Sequence, residues 1–170
     1  MSKINIQIYR SPVGELILGS YDNRLCLCDW RYRHKRNSID ARIQKGLGVE
    51  YQKKSDRLVR QAIDQLEEYF SHSRKQFDIP LLMVGTEFQK AVWNGLLDIP
   101  YGHTSSYAQL AERIDRKQSV RAVAGANGAN ALSLFIPCHR IIGRQGDLVG
   151  YAGGLQAKQK LLDLESDLFN

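Results

Sequence analysis

Three cysteines among 170 residues, Cys26, Cys28 and Cys138, are too few and too odd in number for a disulfide framework. No signal-peptide apolar region follows Met1-Ser2-Lys3-Ile4-Asn5, so free thiols in a reduced cytoplasmic protein are the expectation. Formal charge is missing from Ala122 to His139, yet Gly125, Asn127, Gly128, Asn130 and Pro137 interrupt that run and exclude a membrane span. The chain has no low-complexity tract and no internal repeat. Its glycine-rich stretch around Gly150 lacks the Gly-Lys-Ser/Thr of a phosphate loop. With no hydrophobic anchor, the net charge of +6 suits nucleic acid better than a membrane surface.

What is present falls into two parts, expected as domains over residues 1–80 and 86–170. Ile4, Ile6 and Ile8 alternate with Asn5, Gln7 and Tyr9, the period-2 pattern of a strand. Turns at Ser11-Pro12-Val13-Gly14 and Tyr21-Asp22-Asn23 mark two more, over 15–20 and 24–30, giving a three-stranded antiparallel sheet. Leu58, Val59, Ala62, Ile63, Leu66 and Phe70 predict an amphipathic helix over 57–70 to cover it. Residues 31–57 between them are basic and aperiodic, which predicts a solvated, irregular linker rather than a DNA-facing patch. Cys26-x-Cys28 is too tightly spaced for the usual zinc pair, so two packed strand cysteines and no metal are expected.

Thr86-x-x-Gln89 is a capping box opening a helix through Phe88, Val92, Leu96 and Ile99, ended by Pro100-Tyr101-Gly102. Ser105 or Ser106 caps the next helix, over 107–114, and a charged turn leads to another over 118–128. The pair reads as a helix-turn-helix. On its second helix Arg121, Ala124, Gly125 and Gly128 share a face that is otherwise almost bare. Glycine weakens a helix by about 1 kcal/mol relative to alanine, so such a face serves close approach to another surface. A neighbouring helix or DNA would fit, and the arginine favours DNA.

Beyond the apolar residues 131–136, read as a strand, Pro137 stiffens the backbone before Cys138, and His139 follows directly. A thiol becomes a nucleophile as the thiolate, a form that a neighbouring base promotes. Arg140-Ile141-Ile142 reads as further strand, and the last helix runs from 155 to 164 or beyond. At about 100° per residue Glu165 projects between Leu161 and Leu162, close to Lys158. A carboxylate within an apolar stripe needs a partner or a task; a helix that frays before Glu165 would leave it in solvent.

Taken together, Thr86-Glu87-Phe88-Gln89, Val92-Trp93, Ile99-Pro100, Thr104-Ser105-Ser106-Tyr107, Arg121-Ala122-Val123 and Asn130 lead to Ile136-Pro137-Cys138-His139-Arg140. Gly150-Tyr151-Ala152-Gly153-Gly154-Leu155, Lys158, Leu161-Leu162 and Glu165 follow. This half of the chain resembles the O6-alkylguanine-DNA alkyltransferases, and the N-terminal layout resembles their bacterial constitutive type. The resemblance implies an α/β (α+β) fold, with a ribonuclease-H-like sheet and helix followed by a helical, winged-helix-like domain. It also implies stoichiometric transfer of an alkyl group to Cys138 from O6-alkylguanine, and O4-alkylthymine, in double-stranded DNA. Minor-groove binding and nucleotide flipping would precede transfer, by a cytoplasmic monomer that needs no cofactor.

In that setting His139 would deprotonate Cys138 through a water, with Glu165 orienting the imidazole. Arg121 would fill the gap left by the flipped nucleotide, and Tyr107 would press on the phosphate. Ala122, Gly125 and Arg140 would meet DNA, and Asn130 would tie the recognition helix to the active-site strand. Tyr151 would donate to the leaving guanine, with Ala152, Gly153 and Lys158 lining the pocket. Ala131, Ser133 and Ala152 stand where relatives carry proline, proline and serine, which implies a roomier pocket. Two other classes fit parts of the pattern: a DNA-binding regulator with Cys138 as sensor, and a cysteine hydrolase that turns over.

Overall fold

The computed structural model describes residues 2–166, which form two compact units, one ending at Gly85 and the other beginning at Thr86. Strands β1 (Ile4–Ser11), β2 (Gly14–Tyr21) and β3 (Arg24–Trp30) make the expected antiparallel meander of the first unit. The β2–β3 turn places Asp22 and Asn23 at φ 52° and 56°, the left-handed pair that a tight hairpin requires. Helix α2 (Arg57–Phe70) starts at Asp56, whose carboxylate accepts from the Val59 amide at 2.8 Å. The same carboxylate accepts from Asn5 and Ser20, which fastens the helix start to the sheet. Leu58, Val59, Ala62 and Leu66 are buried beneath it.

The basic linker expected over 31–57 is not irregular. It holds helix α1 (Arg36–Leu47) and strand β4 (Tyr51–Lys53). β4 adds to β1 in parallel, so the sheet has four strands in the order β3-β2-β1-β4. The cause is charge pairing: Asp29, fully buried in β3, accepts from Arg33 at 3.1 Å and Arg36 at 3.0 Å. Arg36 also grips Asp40, which accepts from the Tyr51 hydroxyl at 2.8 Å. Several of the basic side chains are therefore spent inside the unit, and Ile39 and Ile43 supply the apolar side of α1.

In the second unit, Thr86 and Gln89 form the capping box that opens α3 (Glu87–Leu97), and Ser106 and Gln109 do the same for α4 (Tyr107–Arg113). Helix α5 (Val120–Gly128) packs on both, and the Trp93 indole donates to the Ala126 carbonyl at 2.9 Å. Gly95 permits the close α3–α4 approach, since a Cβ there would lie 2.8 Å from Ile114 and 2.9 Å from Leu110. Helix α6 (Leu155–Ser166) extends past Glu165 and buries it, so the helix does not fray ahead of that residue. No helix among the described residues is long and apolar enough to cross a membrane.

Candidate active site

All ten residues from Ala131 to Arg140 are buried, although they form no strand. Asn130 organises them: its amide donates to the Ile136 carbonyl at 3.0 Å, and its side-chain oxygen accepts from the Leu132 amide at 3.0 Å. The Ile136 amide donates to the Leu132 carbonyl at 2.8 Å, closing a turn that holds Leu134 at φ 75°. Local bonds thus replace the predicted ladder, leaving one bridge between Ser133 and Ile136. After Pro137 the chain enters a single 3-10 turn, Cys138–Arg140, where strand had been expected to resume.

That turn sends His139 and Arg140 to the same carboxylate. His139 Nε2 lies 2.8 Å from Glu165 Oε2, with both side chains only 1% exposed. Arg140 donates through Nε to Oε1 at 2.8 Å, through Nη2 to Oε2 at 3.0 Å, and through Nη1 to the Ile99 carbonyl at 2.6 Å. The Gly102 amide adds a longer contact to Oε1 at 3.4 Å. Arg140 was expected to face DNA. Instead its guanidinium is buried and its nitrogens are committed to Glu165 and Ile99.

The electrostatics follow from that arrangement. Burial alone would raise the Glu165 carboxyl, but His139 and Arg140 together hold it well below the usual carboxylate range. Burial depresses His139, outweighing the pull of Glu165, with Arg140 and Lys158 adding to the depression. An ionised carboxylate can only accept, so Nε2 carries the imidazole proton and Nδ1 presents a lone pair. Nδ1 is buried and makes no hydrogen bond among the described residues. A base held in one tautomer by a third group, next in sequence to a thiol, is the constellation of an activated nucleophile.

Lys158, Tyr151 and Tyr107 lie near this centre. Lys158 is buried, donates to the Val149 carbonyl at 3.1 Å, and is pushed down to about 8 by burial, which proximity to Cys138 partly offsets. The Tyr151 ring stands edge-on to His139 with centroids 6.5 Å apart, and Ala152 and Gly153 continue its half-buried turn. Tyr107 opens α4; burial raises its phenol, and Cys138 lies near enough to raise it further. Asn127, which sequence reasoning missed, is buried and donates to the Tyr107 hydroxyl at 3.5 Å. The only sequence signal for it was an asparagine four residues after Val123 on the buried side of α5.

Arg121, Ala122, Gly125 and Gly128 are exposed on α5. A Cβ built on either glycine meets nothing within 4 Å, so the bare face is open and not packed against a neighbouring helix. Cys26 and Cys28 are buried in β3, and Cys26 donates to the Gly19 carbonyl at 3.6 Å. Burial pushes the Cys26 thiol up to about 12, which keeps it an inert packed group. Among the described residues, no cluster of three His, Cys, Asp or Glu side chains could hold a metal ion.

Residues 4–83 match the family model of the 6-O-methylguanine DNA methyltransferase ribonuclease-like domain. Residues 87–167 match the model of the DNA-binding domain of the same family. A methylated-DNA–protein-cysteine methyltransferase of Methanosarcina acetivorans is 38% identical over 159 residues, 93% of this chain and 96% of that protein. One from Mycobacterium leprae is 40% identical over 158 residues, covering 91% and 88% of the two chains. The crystal structure of Mycobacterium tuberculosis OGT in complex with DNA superposes with a TM-score of 0.81 at 35% identity, over 95% of this chain and 92% of that one. Two models of one family laid end to end, and relatives matched over most of their length, show that the chain belongs to the 6-O-methylguanine DNA methyltransferase family.

Proposed function

We propose that this protein repairs DNA by taking the alkyl group of O6-alkylguanine, and of O4-alkylthymine, onto Cys138, once per molecule. The observation that carries the reading is the buried contact between Glu165 and His139 at 2.8 Å, beside the only cysteine of the second unit. His139 Nδ1 takes the thiol proton through a water. The thiolate sulfur then attacks the alkyl carbon; the S–C bond forms as the bond from that carbon to the base oxygen breaks. The electron pair of the broken bond stays with the base, and the Tyr151 hydroxyl stabilises the charge that develops there. A thioether has no leaving group that the site can expel, so the protein is spent.

DNA would lie against the open face of α5, with Gly125 and Ala122 admitting the backbone and Arg121 entering the stack in place of the flipped nucleotide. Tyr107, held by Asn127, would press on the phosphate of that nucleotide. Asn130 links the end of α5 to the residues before Cys138. Ala152, Gly153 and Lys158 would border the base pocket. Arg140 has no place at DNA in this reading: it holds Glu165. The partner is double-stranded DNA with an alkylated base, met by a monomer in the reducing cytoplasm.

The test is intact-protein mass after mixing with excess duplex carrying one O6-methylguanine. A gain of one methyl per chain, mapped to the Cys138 peptide and absent in Cys138→Ser, is expected. Methyl loss from DNA in many-fold excess over protein would mean a turnover enzyme, and binding without mass gain would mean a regulator.

A further inference from the structure

Strand β1 runs from Ile4 to Ser11, but β4 pairs with it only at Ile4, Asn5 and Ile6. The Ile4 amide donates to the Glu50 carbonyl, and the Lys54 amide donates to the Ile6 carbonyl. Even-numbered residues of β1 therefore turn their N–H and C=O groups toward the β4 edge, because these groups alternate along a strand. Past Lys53 the chain swings away toward Asp56, so the outward groups of Ile8 and Arg10 have no ladder partner among the described residues.

The gap between β1 and residues 53–55 is a groove of about 460 Å³, floored by Ile6, Ile8 and Ile17. α1 reaches this sheet face at Asp29, which pairs with Ile17 and bonds Arg36, and at Tyr51, which pairs with Ile4 and bonds Asp40. Ile8 is left 39% exposed. The charged groups that line the groove are Arg31, Lys53 and Lys54, with no carboxylate among the lining residues. Arg31 is shared with Glu15 at 3.1 Å, whereas Lys53 and Lys54 make no ion pair among the described residues.

We propose that this edge binds an extended segment of another protein in which apolar and acidic residues alternate, added to the sheet beside Ile8 and Arg10. Backbone pairing with the open edge would supply affinity, and side chains at alternate positions would supply specificity. The apolar ones would rest on Ile6, Ile8 and Ile17, and the acidic ones, turned to the opposite face, would meet Lys54, since Lys53 pairs with Ile6 and shares the isoleucine face. DNA offers neither amide groups at strand spacing nor apolar side chains for such a floor. The site belongs to the first unit and needs none of the residues assigned to alkyl transfer.

The full chain, labelled at isoleucine methyls and backbone amides, would be titrated by NMR with a blocked peptide alternating valine and glutamate. Its valine–lysine counterpart is the control. Saturable shifts at the Ile6, Ile8 and Ile17 methyls and the Ile8 and Arg10 amides are expected, with the lysine peptide at least about tenfold weaker. Arg10→Pro removes one outward donor and keeps the backbone bonds to β2, losing only the exposed Arg10–Glu15 ion pair, and Ile8→Glu sets a like charge on the floor; each should weaken the glutamate peptide at least about tenfold. No saturable shift, equal response to both peptides, shifts mapping elsewhere, or full affinity in a folded Arg10→Pro variant would overturn the proposal. Dimerisation of the peptide-free chain through this edge would overturn it too.

Discussion

His139 and Glu165, 26 residues apart in sequence, meet at 2.8 Å with both side chains almost entirely withdrawn from solvent. In the folded protein the carboxyl is ionised and the imidazole neutral. Both groups therefore bind protons less readily folded than unfolded, and both contribute stability that is lost on acidification. The loss should begin as pH falls below about 6.5, where an unfolded histidine takes up a proton, and steepen below about 4.3, where an unfolded glutamate does. Thermal midpoints measured from pH 8 to 4 should fall accordingly, and His139→Gln should flatten the upper part of the curve. For alkyl transfer, Glu165→Gln should slow the single-turnover rate by about a hundredfold, the scale of an oriented general base.

Arg140 is buried against the same carboxylate, so replacing it leaves an unpaired charge in the interior. Arg140→Met should cost about 3 kcal/mol or more of folding stability, read from the urea midpoint. An arginine that merely touched DNA would leave that midpoint unchanged and weaken only binding.

Gly125 faces open space, so a methyl there costs nothing in packing and removes backbone freedom from the unfolded chain. Gly125→Ala should stabilise the protein by about 0.5–1 kcal/mol. Gly125→Leu should leave the fold intact yet weaken binding to a duplex at least about tenfold, because in the proposed reading the larger side chain would stand where the backbone of DNA approaches. Denaturation and fluorescence anisotropy on the same samples separate the two effects.

Ala131 and Ser133 are buried in the turn before Cys138, and Ala152 is half-buried beside Tyr151. Small residues at these positions should admit adducts larger than methyl. Transfer rates from O6-benzylguanine and O6-methylguanine duplexes should fall within about tenfold of each other, against the ~1–3 kcal/mol that a closed pocket exerts per misfit group. A strong preference for methyl would show the pocket to be narrow despite these residues.

The amphipathic spacing of 57–70 and the capping serines and threonines were legible because they are short-range: a helix face and a cap are set by residues three or four positions apart. The burial of Glu165 followed from the same geometry. The fourth strand and α1 were not legible, since their basic, aperiodic residues fold only where Asp29 of β3 waits to neutralise Arg33 and Arg36. An apolar run before Pro137 looks like strand until Asn130 is seen to close it as a turn.

Local spacing was enough to place His139 beside Cys138 and to put Glu165 on the apolar stripe of the last helix, because both depend on residues only a few positions apart. Which way Arg140 turns could not be read from local spacing. Its direction depends on a carboxylate 25 residues away and a carbonyl 41 residues away, and burial is what makes those partners obligatory for a guanidinium. The open edge of β1 was likewise decided in three dimensions, by where β4 stops.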